Sequence, residues 1–153
     1  MTSPPDYATI TDTEVITMIR IYSLSIQAFL HFTELKCFDI GFFRTRDEAQ
    51  VVAHRYLSEV RGFRDFYCEA SISEETLDAD TEPEFVYTFF GTDEDDFGNA
   101  IGIAGPHCYA DRERAEAALT DAMSMSPEKI WAIRPWQIGK CEWSNGFTPR
   151  LAG

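Results

Sequence analysis

The hydrophobic pattern of this chain changes period several times, and each change marks an element. From Val15 to Phe32 apolar and β-branched residues dominate, and Met18, Arg20 and Tyr22 alternate with Ile19 and Ile21 as side chains on a strand do. Ser25 to Phe32 fits a strand or a helix equally well. After a turn at Thr33-Glu34, Leu35 to Phe43 reads as a second strand, with Lys36, Phe38, Ile40 and Phe42 opposite Cys37, Asp39 and Gly41. Thr45-Arg46-Asp47-Glu48 is a capping box. The helix behind it places Ala49, Val52, Ala53, Tyr56, Leu57 and Val60 on one stripe and stops at Gly62, with Arg61 near its carbonyl end. A third strand is expected over Phe66–Ser73. Acids then dominate from Glu74 to Glu84 around Pro83, as a linker would.

After the linker the pattern restarts. Phe85–Phe90 reads as a strand, Gly91–Asn99 as a long acidic turn, and Ala100–Ala104 as a short strand that resumes at His107–Tyr109. Asp111 is a helix cap, followed by the stripe Ala115, Ala118, Leu119, Ala122 and Met123, and Pro127 closes that region. Ile130–Ile133 and Trp136–Trp143 supply the last strand material. At a spacing of 66, Thr45 falls on Asp111, Ala49 on Ala115, Val52 on Ala118 and Ile72 on Ile138. The expectation is an α+β fold of two pseudo-repeated ββαβ units, each an antiparallel sheet with one helix, packed together because one unit alone buries a single face. The corresponding division is a tail at 1–14, a first half at 15–78, an acidic linker at 79–84, a second half at 85–143 and a tail at 144–153.

Ile40-Gly41-Phe42-Phe43, the capped helix with Asp47-Glu48-Ala49, and the turn Arg61-Gly62-Phe63-Arg64-Asp65 resemble a small bacterial and phage ββαβ family of unknown function. The resemblance covers residues 18–78 and is absent after Met125. It implies a fold and no activity. The overall style is similar to that of immunity proteins of polymorphic toxins.

Charge changes the picture most. Asp65 to Asp111 holds thirteen carboxylates and no lysine or arginine, while the rest of the chain has thirteen acids against thirteen bases. The entire formal net charge of -13 therefore resides in about a third of the sequence. A polyanion-binding protein needs a basic face, so nucleic acid is excluded as a partner. With 44% apolar and 14% aromatic residues in 153, the chain has material for a real core. No apolar run approaches a membrane span, and Met1–Asp6 lacks the basic and apolar regions of a signal peptide. A cytoplasmic protein with no membrane partner is expected.

The candidate chemistry is thin. Cys37, Cys68, Cys108 and Cys141 form no CxxC pair and have no histidine at zinc spacing, so buried free thiols are expected and no metal or cofactor. His107 and Cys108 are adjacent, and on a strand they point to opposite faces, which excludes a catalytic pair. His54, on the first helix, is expected to be solvated or half-buried. Asp93–Asn99 suggests a calcium loop, but Phe97 and Ala104 stand where ligands are required. Most aromatics fit core positions, with Phe66, Phe97 and Trp136 available to supplement an interface.

These features predict a non-enzymatic acidic inhibitor of the immunity type that occludes a basic protein, such as a nuclease toxin. Glu74, Glu75, Asp78, Asp80, Glu82, Asp93, Glu94, Asp95, Asp96 and Phe97 would form the contact. Two other readings use the same residues or shape: a phage-encoded nucleic-acid mimic directed at a host defence protein, and a small-ligand sensor or enzyme with a cleft between the halves. A homodimer paired through a sheet edge is also compatible with the pattern.

Overall fold

A computed structural model of the chain describes residues 18–31, 34–92, 100–101 and 108–148. The elements are β1 (Met18–His31), β2 (Glu34–Phe43), α1 (Arg46–Glu59), β3 (Tyr67–Asp78), β4 (Phe85–Thr92), β5 (Ala100–Ile101), α2 (Arg112–Met125) and β6 (Ile130–Gln137). The fold is α+β. Among the described residues the strands form two antiparallel sheets, ordered β2-β1-β3 and β5-β4-β6, so the first strand of each sheet lies at its centre.

The ambiguous stretch Ser25–Phe32 belongs to β1 as far as His31. The strand is paired on both sides, and that tertiary pairing decides what local propensity leaves open. Leu24, Ile26, Ala28 and Leu30 alternate onto the face that meets α1. On α1, Ala49, Val52, Ala53 and Tyr56 are buried against it, and Thr45 Oγ1 accepts the Glu48 amide at 3.0 Å to cap the helix.

The alternation expected for β2 breaks at a bulge. Leu24 pairs with Gly41 and Ser25 with Asp39, which leaves Ile40 as the extra residue. Past the bulge the facing of side chains inverts: Phe38 and Ile40 join the α1 core, as does Phe43, whereas Phe42 turns to the opposite side. There Phe42 meets Ile21, Leu77, Val86, Cys108 and Trp136 in a second core that joins the two sheets. Its ring lies edge-on to Trp136 at 5.5 Å. Trp136 is thus an internal residue of this junction, not a side chain available to a partner.

The close of α1 uses the turn Gly62-Phe63-Arg64-Asp65. Gly62 has φ +88°, a conformation that side chains strain. The Asp65 carboxylate accepts the Gly62 amide at 2.9 Å, and Phe63 is buried in the first core. Arg64, rather than Arg61, caps the helix end by donating to the Glu59 carbonyl at 3.0 Å.

Three boundaries differ from the sequence reading. β3 continues five residues past Ser73, so Glu74–Asp78 belong to a strand and the link to β4 is shorter. β6 runs unbroken through Pro135, which an edge strand tolerates because its outward amide has no ladder partner to lose. The segment after β6 is also structural up to Thr148. Gly139 donates to the Phe42 carbonyl and Glu142 to the Ile40 carbonyl, both at 2.7 Å, so the segment lies along the edge of β2. Tyr56 donates its hydroxyl to the Glu142 carbonyl at 2.7 Å. Phe147 is 8% exposed and packs on Phe38, Phe63 and Phe66, and its amide donates to the Arg61 carbonyl. This strap carries Phe147, from the segment expected to be a tail, into the core of the first half.

α2 is held more loosely. Asp111 caps it by accepting the Arg114 amide at 3.0 Å. Only Ala115 on it is fully buried, and Met123 and Met125 are exposed. Both helices have fourteen residues and begin 66 residues apart. Among the described residues no helix is long and apolar enough to cross a membrane.

Candidate functional site

The predicted contact acids fall into three groups. Glu74 and Glu75 are neighbours on β3 and therefore project from opposite faces of the sheet. Glu74 shares its face with Tyr22, whose hydroxyl donates to it at 3.3 Å, and it lies 3.8 Å from Arg20 and 3.9 Å from Arg46. Glu75 is half-buried on the other face, where its charge reaches Cys108. A partner that docks on one face of the sheet meets only one of them.

Asp78, Asp80 and Glu82 follow the chain out of β3. Arg114, from the first turn of α2, forms an ion pair with Asp78 at 2.6 Å and one with Asp111 at 3.4 Å, and donates to the Asp78 carbonyl. Arg44 holds Glu82 at 3.4 Å and the Pro83 carbonyl at 3.1 Å. These arginines precede or follow the acidic stretch in sequence, and the fold brings them back to it. Asp80 has no such partner among the described residues. It borders an open polar depression of about 320 Å³ together with Asp78, Asp111, Arg114 and Pro83. Asp93, Glu94, Asp95, Asp96 and Phe97 lie outside the described residues, as does the calcium-like loop they belong to.

The paired side chains are 40–70% exposed, so each such ion pair contributes on the order of 0–1 kcal/mol. They do lower the local potential, however. Glu74, Asp78 and Glu82 are partly neutralised from within, and among the described residues Glu69, Glu75, Asp80 and Glu84 have no ion pair. Of these, Glu69 accepts the Tyr67 hydroxyl at 2.7 Å, and this bond holds the phenol's pKa above its usual range.

Two further titrating groups show what the surroundings do. The Gly62 amide beside Asp65, with a smaller contribution from Arg64, keeps that carboxyl below the ordinary range. Burial in the junction, with the Glu75 charge adding to it, pushes the Cys108 thiol up to about 12. Cys108 is the buried cysteine. Cys37 is exposed and Cys68 and Cys141 are half-buried, so the expectation of four buried thiols is corrected for three of them. Cys37 is exposed on β2, and Cys68 and Cys141 sit at the margin of the first core, which their apolar neighbours in sequence do not reveal. His54 is exposed on α1. Among the described residues no group of three His, Cys, Asp or Glu side chains is placed to hold a metal ion.

Sequence reasoning missed the strap. Gly146-Phe147 repeats the Gly62-Phe63 pair, and an aromatic after a glycine in a polar terminal stretch was the available signal. In the fold the two pairs meet: a side chain on Gly62 would reach the Phe147 ring at 2.6 Å, and one on Gly146 would strike the Arg61 carbonyl. No protein-family model matches this chain, and no curated protein or solved structure matches it either.

Proposed function

We propose that this protein is an acidic inhibitor of the immunity type, which binds a basic protein and occludes the surface that partner uses for nucleic acid. The observation that carries the reading is the segregation of charge: the whole surplus of -13 lies between Asp65 and Asp111, a stretch with no lysine or arginine. Such a field steers a cationic partner and raises association rates toward about 10⁸ M⁻¹s⁻¹ at low salt. The contact falls on Asp80 and Glu84, which no arginine among the described residues pairs, and on the quartet Asp93–Asp96 at the centre of the acidic stretch. Glu74, Asp78 and Glu82 act as a paired rim. A ligand cleft between the halves has less support, since Phe42, Leu77, Val86 and Trp136 fill the described part of the junction.

The test is capture of a partner on the immobilised protein from the organism that encodes it, followed by assay of that partner's nuclease or nucleic-acid-binding activity. The expected outcome is a cationic protein whose activity is blocked in the complex and restored by raised salt. A partner that is retained at high salt and remains active in the complex contradicts occlusion by charge.

A further inference from the structure

The two edges of the first sheet are treated differently. The outer edge of β2 is covered by the protein's own strap, through the bonds from Gly139 and Glu142. The outer edge of β3 is left open: among the described residues no backbone hydrogen bond joins Tyr67–Leu77 to any segment except β1. β3 is also twelve residues long, well above the usual five or six. A strand edge that no described segment pairs from Tyr67 to Leu77 is a template for another strand.

The charge on the strand decides which strand it fits. β3 carries Glu69, Glu74, Glu75 and Asp78 and no lysine or arginine. A second copy of this chain is a poor occupant. Antiparallel self-pairing centred on Ile72 sets Glu69 opposite Glu75, and no register supplies a cation from either strand. An extended segment bearing lysine or arginine has the opposite balance: its backbone completes the ladder and its cations face acids on both sides of the sheet.

Resting on the reading of a basic partner, we infer that the open edge of β3 receives an extended cationic segment of that partner as a fourth strand of the first sheet. Main-chain pairing supplies affinity, and Glu69 and Glu75 on one face with Glu74 and Asp78 on the other select for positive charge. Arg20, Arg46 and Arg114 hold Glu74 and Asp78 through exposed pairs, weak enough to be exchanged for the partner's cations.

The test uses two synthetic peptides of alternating lysine and valine, about ten residues long. One is unmodified. The other has the same sequence with every second amide N-methylated, so that charge is retained and strand pairing is blocked. The expected result is binding at least about tenfold tighter for the unmodified peptide, equivalent to roughly one or two hydrogen bonds. Amide exchange should slow along Tyr67–Asp78, and a Glu69→Lys, Glu75→Lys variant should lose the effect. Equal binding of both peptides, protection confined to other residues, or no binding by either overturns the strand addition. Equal, salt-sensitive binding leaves the charge-based docking intact, so the two proposals fail separately.

Discussion

At the residue scale, the turn after α1 shows how few side chains fix a local structure. Gly62 supplies a positive φ, Asp65 ties its amide, and Phe63 and Phe147 pack on either side. Gly62→Ala must adopt φ +88° and displace the Phe147 ring, so a loss of about 3 kcal/mol is expected in a denaturant titration. Asp65 makes stability pH-dependent with a definite sign. Its folded pKa lies below the unfolded value near 3.9, so its contribution is complete above that value and is lost as pH falls through the lower, folded one. Asp65→Asn should therefore show a flatter acid limb than the parent when unfolding midpoints are followed downward from about pH 5. The cysteines give a chemical check on the two cores. A thiol reagent at pH 8 should modify exposed Cys37 in the native protein and leave Cys108 unreacted until unfolding, since burial holds its pKa near 12.

At the element scale, the strap from Gly139 to Thr148 couples the chain's end to its first half. Phe147→Ala should cost about 3–5 kcal/mol, as for a core phenylalanine, whereas Met125→Ala, at a position 83% exposed, should change stability by less than about 0.5 kcal/mol. Urea midpoints of the two variants check this, and equal midpoints would place Phe147 outside the core. The elements themselves were largely legible. Thr45 and Asp111 carry capping chemistry that local sequence displays, and both helices start where those caps stand. The facing of Phe42 was not legible, because a bulge depends on how β1 and β2 align and not on either strand alone. The continuation of β3 through Glu74–Asp78 was hidden by its acids, which belong to an open edge strand but read as linker. Phe147 was hidden because its partners lie more than eighty residues away along the chain.

At the scale of the whole molecule, two sheets share the core around Phe42, Val86, Leu77 and Trp136, and the strap runs from the end of β6 along β2 into the first core. The candidate site was half legible: sequence located the charge, but not the arginines that return to it from outside the stretch. Arg44, Arg46 and Arg114 reach Glu82, Glu74 and Asp78 only after folding, and they divide the acids into a compensated set and an uncompensated one. Among the described residues that division points the proposal to Asp80 and Glu84, beside the quartet Asp93–Asp96 that the sequence supplies. The most direct measurement is the association rate of the captured partner with the parent and with an Asp93→Lys, Asp95→Lys variant, at low salt and at about 0.15 M. The parent should associate faster at low salt and slow steeply as salt rises, and the variant should be slower at low salt with a shallow salt dependence. Identical rates and identical salt slopes for the two proteins would contradict docking through the acidic stretch.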